Sequence, residues 1–116
     1  MRVSRLHLTD VTPSPELPWA RPTFPVYAFL VEHPHGPVLI DTGVGLGNEI
    51  IDRMYSPVHH DLDAALANHR LTTADITTVI TSHLHFDHCG QNNRFVHARV
   101  LVQRAEVEAA REPLYT

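Results

Sequence analysis

A single cysteine, Cys89, rules out an internal disulfide. Lys and Arg together number nine and form no run, and the net charge is −4, which argues against a nucleic-acid or anionic-membrane surface. No apolar segment approaches membrane-spanning length. The opening residues, Met1 to Leu8, contain no continuous apolar stretch of signal-peptide length, so a cytoplasmic location is the expectation. Internal repeats, low-complexity tracts and domain linkers are absent as well. What is left is 116 residues at 43% hydrophobic and 19% charged, enough for one globular α/β domain with its own core.

The residue in excess is histidine, with ten against nine Lys plus Arg. It is densest in Ser82-His83-Leu84-His85-Phe86-Asp87-His88-Cys89-Gly90. A β-branched run, Ile76 to Thr81, leads into that stretch and has the composition of a buried strand. Four ligand-type residues in six positions, separated by apolar spacers, point to a metal site at a strand end. In extended chain His83, His85 and Asp87 share one face, while Leu84 and Phe86 turn back into the core. His88, one step beyond Asp87, then points elsewhere and suits a second metal.

Elsewhere the reading is mostly structural. Val3 to Thr9 alternates loosely, as an opening strand does, with His7 on its surface. Thr12 to Pro25 carries five prolines and is expected to be a loop. Its aromatics, Trp19 and Phe24, pin it to the surface or line the mouth of the site. Val26 to Glu32 and Pro37 to Asp41 read as a hairpin turning at His33-Pro34-His35-Gly36, where both histidines are solvated. Gly43, Gly45 and Gly47 lack the Lys and Ser/Thr of a phosphate loop and predict a tight, close-packed turn. Helical segments are expected over Asn48 to Tyr55, Leu62 to about Arg70 with Asp61 as cap, and Gln103 to Arg111. The adjacent His59 and His60 point apart and are not counted as ligands. Cys89 is read as a thiolate ligand or simply a small loop residue, and His97 is not promoted to a ligand.

Two motifs carry a resemblance. His83-x-His85-x-Asp87-His88 and Val38-Leu39-Ile40-Asp41-Thr42-Gly43 resemble the signatures of the metallo-β-lactamase superfamily. Tyr27 to Pro34, Ser82 to His88 and Val102-Gln103-Arg104-Ala105-Glu106 resemble the N-acyl-homoserine lactonase-like hydrolases within it. The resemblance runs from about Val26 to Ala110 and covers only the first half of such an enzyme. It implies the N-terminal half of an αββα sandwich, with residues 1–116 as a partial domain and 12–25 as its Pro-rich loop.

It further implies two divalent metal ions, with zinc favoured. His83 and His85 would hold one, and Asp87 and His88 the other. The remaining histidines and a bridging aspartate would lie in a second half. Asp41 would orient the ligand loop or a histidine, although a turn-capping role suits it almost as well. The implied reaction is hydrolysis of a lactone or ester by hydroxide that the metals supply, with Asp87 also carrying the proton to the leaving group. Thioester hydrolysis, phosphodiester hydrolysis and a non-catalytic metal-binding or assembly module use the same residues. With two ligands per metal, the isolated chain is expected to be inactive, and to self-associate or pair with a chain that supplies the rest.

Overall fold

Apolar alternation carries the first strand further than Thr9. In a computed structural model, which describes residues 1–113 and 115, β1 runs over Arg2–Val11. β2 (Phe24–His33) and β3 (Gly36–Ile40) form the expected hairpin, with His33 and His35 exposed at its turn. β2 takes in Phe24 and Pro25, so the irregular segment after β1 ends at Thr23.

Helix α1 (Glu49–Tyr55) starts where Asn48 Oδ1 accepts the N–H groups of Ile50 and Ile51. It ends at Ser56, which has φ 41° and is followed by Pro57. Next come the two-residue strand β4 (Val58–His59) and helix α2 (Leu62–Ala67), capped by Asp61. α2 is shorter than expected, because Arg70 has turned to φ 61° and Leu71 N donates back to Leu66 O. β5 (Thr78–Thr81), the short helix α3 (Phe86–Cys89), β6 (Arg99–Val102) and α4 (Arg104–Ala109) complete the chain.

The strands make one sheet in the order β4-β1-β2-β3-β5-β6. Its first half is antiparallel, whereas β3, β5 and β6 run parallel. One face carries Leu6, Ala28, Leu30, Leu39 and Val79, all buried against Leu62 and Leu66 of α2 and against Ile76 and Phe95. Each Leu, Val, Ile or Phe among them contributes about 1.5–3 kcal/mol by leaving water. The register sets Phe29, Ile40, Ile80 and Leu101 side by side across four strands on the opposite face. Phe29, Ile80 and Leu101 are there 38%, 39% and 45% exposed, so one apolar face of the sheet is covered and the other is not.

Candidate metal centre

Parallel neighbours release their following loops at the same edge of a sheet. β3 and β5 therefore deliver Asp41-Thr42-Gly43 and Ser82-His83 to one place, where Asp41 N donates to Ile80 O at 2.8 Å. Asp41 is 5% exposed and adopts φ 65°, a left-handed conformation that aspartate accepts more readily than bulkier residues. Its carboxylate accepts three hydrogen bonds. Ser82 N reaches Oδ1 at 2.7 Å, while Ser82 Oγ at 2.7 Å and His88 Nδ1 at 2.8 Å both reach Oδ2.

These bonds set the proton positions of two imidazoles. Ser82 Oγ has one hydrogen and gives it to Asp41, so its 2.9 Å contact with His83 Nδ1 needs the N–H to be on the ring. His88 Nδ1 likewise donates to Asp41. In both neutral rings Nε2 is left with its lone pair, the form in which an imidazole binds a metal. Imidazoles in that form are of the kind that bind divalent metal, although no three ligand atoms of His83, His85, Asp87 and His88 lie within 4.8 Å of one another.

The extended reading of the motif needs correction. Only Ser82 to His85 is irregular chain; Asp87 and His88 sit on α3, whose first turn follows His85. Helical winding brings His88 back instead of sending it away. Its ring centroid is 4.0 Å from that of His83, and His83 lies 4.6 Å from His85. His88 Nε2 is 3.6 Å from Asp87 Oδ2. The three imidazoles thus gather in one cluster with Asp87 beside His88. Phe86 does turn inward, stacking 4.3 Å from Tyr55 in a cluster with Val11, Val26 and Val44.

The cluster shifts its own titration. Burial, then the positive charge of His88 and His85, depresses His83 below the usual imidazole range. The hydrogen bond to Asp41 raises His88 despite burial. Burial pushes the Asp41 carboxyl up, but the bonds from His88 and Ser82 outweigh it and hold it below 3.8. Burial raises the Cys89 thiol, and its Sγ donates to His85 O at 3.4 Å; both favour a protonated thiol over a thiolate ligand. His97 Nε2 contacts the carbonyls of Thr73 and Ile76, an anchoring role away from the motif.

Three supports were not singled out from sequence. Ser82 relays Asp41 to His83. Thr42 Oγ1 donates to Asn92 Oδ1 at 2.8 Å and accepts Gln91 N at 3.0 Å, tying the first motif to the loop after α3. Glu106 Oε1, on α4, accepts Leu84 N at 3.0 Å and holds the ligand loop. Single polar residues of these kinds are too common in sequence to stand out.

Beside the cluster lies a cavity of about 360 Å³ lined by Trp19, Arg21, Phe24, Tyr55, His85 and Asp87, among others. Trp19 Nε1 donates to Tyr55 Oη at 3.0 Å, so the Pro-rich loop does reach the mouth of the site.

An Asp-Thr-Gly turn is thus hydrogen-bonded to a His-x-His-x-Asp-His loop where the parallel strands β3 and β5 end, which gathers metal-ligand-type residues in one place. Residues 21–116 match the metallo-beta-lactamase superfamily, and the chain belongs to that family. A curated N-acyl homoserine lactonase from a Bacillus species is 36% identical over 98 residues, covering 74% of this chain and 39% of that protein. The AiiA enzyme of B. thuringiensis, solved with N-decanoyl-L-homoserine at its active site, superposes with a TM-score of 0.70 at 25% identity. An N-acyl homoserine lactone hydrolase with the product N-hexanoyl-L-homoserine at its catalytic metal centre gives 0.70 at 26% identity. Each of these two alignments covers 100% of this chain and 55% of the solved one. The chain thus spans well under two thirds of the relatives it matches, and its fold corresponds to the N-terminal part of theirs.

Proposed function

We propose that this chain carries the first half of a dinuclear, zinc-type hydrolase of lactone or ester bonds. His83, His85, Asp87 and His88 are its metal ligands. The observation that supports the reading is the proton arrangement around Asp41, which leaves the Nε2 lone pair free on His83 and His88, two rings whose centroids lie 4.0 Å apart. Two zinc ions, when bound, would supply hydroxide at neutral pH and polarise the substrate carbonyl. The chain's own residues hold and orient. Asp87 stands beside His88 Nε2 and lines the cavity, where it can pass a proton to a leaving alkoxide.

Trp19, Phe24, Tyr55 and Phe86 give the cavity apolar surface for an acyl group, and Arg21, 3.7 Å over the Phe24 ring, adds one positive charge to the lining. Similarity to lactonases favours the acyl group. Alone, the chain offers two ligands per metal where a catalytic zinc generally takes three, and we expect little turnover.

The test is a panel of lactone, thioester and phosphodiester substrates. It is run on the zinc-loaded chain and on a chimera in which the C-terminal part of a curated lactonase follows it. Lactone opening by the chimera, abolished by His83→Ala, is the expected result. Activity of the chain that survives His83→Ala removes the metal-hydrolase reading. Tight zinc binding with no activity in either form favours a metal-binding or assembly module.

A further inference from the structure

Residues three apart on a regular strand face opposite sides of the sheet. β1 breaks that rule between His7 and Thr9. The register steps from His7↔Tyr27 to Thr9↔Val26, so Leu8 is an extra residue and Asp10 returns to the face of His7. The short strand β4 pairs with β1 at the same place, Thr9 with His59 and Asp10 with Val58, and His60 N donates to Leu8 O at 2.7 Å. His60 is carried onto the same face. Its ring centroid lies 4.5 Å from that of His7.

Asp10 sits between them, with Oδ1 2.8 Å from His7 Nε2 and Oδ2 3.3 Å from His60 Nε2. One ligand atom from each of the three residues lies within 4.8 Å of the other two. Among the described residues this is the one His, Asp, Glu or Cys grouping that meets that spacing. In sequence, the adjacency of His59 and His60 argues against ligands there. They do point apart, His59 Nδ1 towards Thr9 Oγ1, and that divergence is what sends His60 to Asp10.

We propose that His7, Asp10 and His60 form a second metal site, separate from the His83–His88 cluster, that binds one borderline divalent ion such as zinc, cobalt or nickel. Two imidazoles and one carboxylate suit those metals over magnesium or calcium, which prefer all-oxygen shells. Water fills the remaining positions, since His7 and His60 are exposed. Donors bound at about 2.0–2.1 Å sit at most about 4.2 Å apart, so the three need only a small closure. Exposed side chains can supply it. The ion would clip β4 and the α1–α2 segment to the edge of β1, where β4 pairs over two residues with the bond from His60 N to Leu8 O beside them.

The experiment uses the full chain with His83, His85 and His88 all changed to Ala, so it does not depend on the proposed catalytic centre. Zinc per chain is measured by elemental analysis after equilibrium dialysis, and cobalt spectra report the ligand type. One equivalent of zinc, lost on adding His60→Gln and accompanied by a zinc-dependent rise in Tm, is expected. Zinc below stoichiometry in the cleared chain overturns the proposal, as does retention of the full equivalent after His60→Gln. If the cleared chain does not fold, His7→Gln and His60→Gln are placed singly in the native sequence. Each should then lower zinc content by one equivalent, and unchanged content overturns the site.

Discussion

Asp41 Oδ2 lies 2.7 Å from Ser82 Oγ and 2.8 Å from His88 Nδ1, so one buried carboxylate oxygen governs two imidazoles. Asp41→Ala removes the acceptor of both protons. His83 and His88 then lose the preference for carrying hydrogen on Nδ1. Zinc affinity is expected to fall about 10–100-fold, the usual cost of removing such a support. Ser82→Ala should cost less, because it frees His83 alone. Competition titration with a chromophoric chelator checks both. Imidazole nitrogen NMR separates a tautomer change from general loosening, and unchanged tautomers in Asp41→Ala would defeat the argument.

The same pair predicts a pH window for the metal-free chain. Asp41 is held below 3.8, so its contribution to stability is present above that value and lost as pH falls through its lower folded pKa. His88 is raised above 6.5, so its contribution is full below 6.5 and lost as pH rises through the raised value. The stability difference between the native chain and Asp41→Asn should therefore peak between 3.8 and 6.5. His83 is depressed chiefly by burial, which both proteins share; the Asp41 charge opposes that shift, so its loss in Asp41→Asn acts in the same sense as the loss at His88. Urea unfolding at a series of pH values measures this. A difference that stays flat from about pH 3 to about pH 8 would falsify the assignment.

Much of this was legible in the sequence because the strongest signals are local. The β-branched run before Ser82 marked the strand that delivers the ligands. Leu30, Leu39 and Val79 fall where period-2 patterning puts a core. Asp61 acts as the cap its side chain suggests, whereas Asn48, read as the first helical residue, is instead the N-cap of α1. What could not be read depended on contacts distant along the chain. Four residues of helix at Phe86–Cys89 are too few for periodicity to reveal, so the motif reads as extended in sequence and His88 reads as pointing away from His83. The bulge at Leu8 is settled by pairing with β2, and no feature of β1 alone marks it. Without it, His7 and Asp10 fall on opposite faces and His60 has nothing to meet.

Gly90 is where the two motif loops touch. A Cβ there would lie 2.6 Å from Val44 C and 2.7 Å from Gly43 O, and closer still to Gly45 N. All three are backbone atoms with no side-chain freedom to yield. Gly90→Ala is expected to destabilise by at least about 2 kcal/mol and to weaken zinc binding by parting the loops. Gly47→Ala, at φ +77° but with nothing within 4 Å, should carry only the smaller backbone cost of about 1 kcal/mol. Denaturation of the two variants compares them directly. Equal losses would mean that backbone angle, and not the close approach at Gly90, sets the penalty.

The uncovered face of the sheet leads to a prediction about association. Phe29, Ile40, Ile80 and Leu101 form a row across β2, β3, β5 and β6, opposite the face that α2 covers. Rows of that kind on an isolated chain tend to find another apolar surface, and a second copy is the one always available. Sedimentation velocity should show the chain associating as its concentration rises. Phe29→Lys with Leu101→Lys should shift it towards monomer while far-UV circular dichroism stays the same, because both side chains point away from the Leu30–Leu39–Val79 core. The two replacements lie at opposite ends of the row, so any face-to-face pairing must bring at least one lysine onto apolar surface. A native chain that remains monomeric at every concentration tested would mean the exposed row is tolerated in water, and the association reading would be withdrawn.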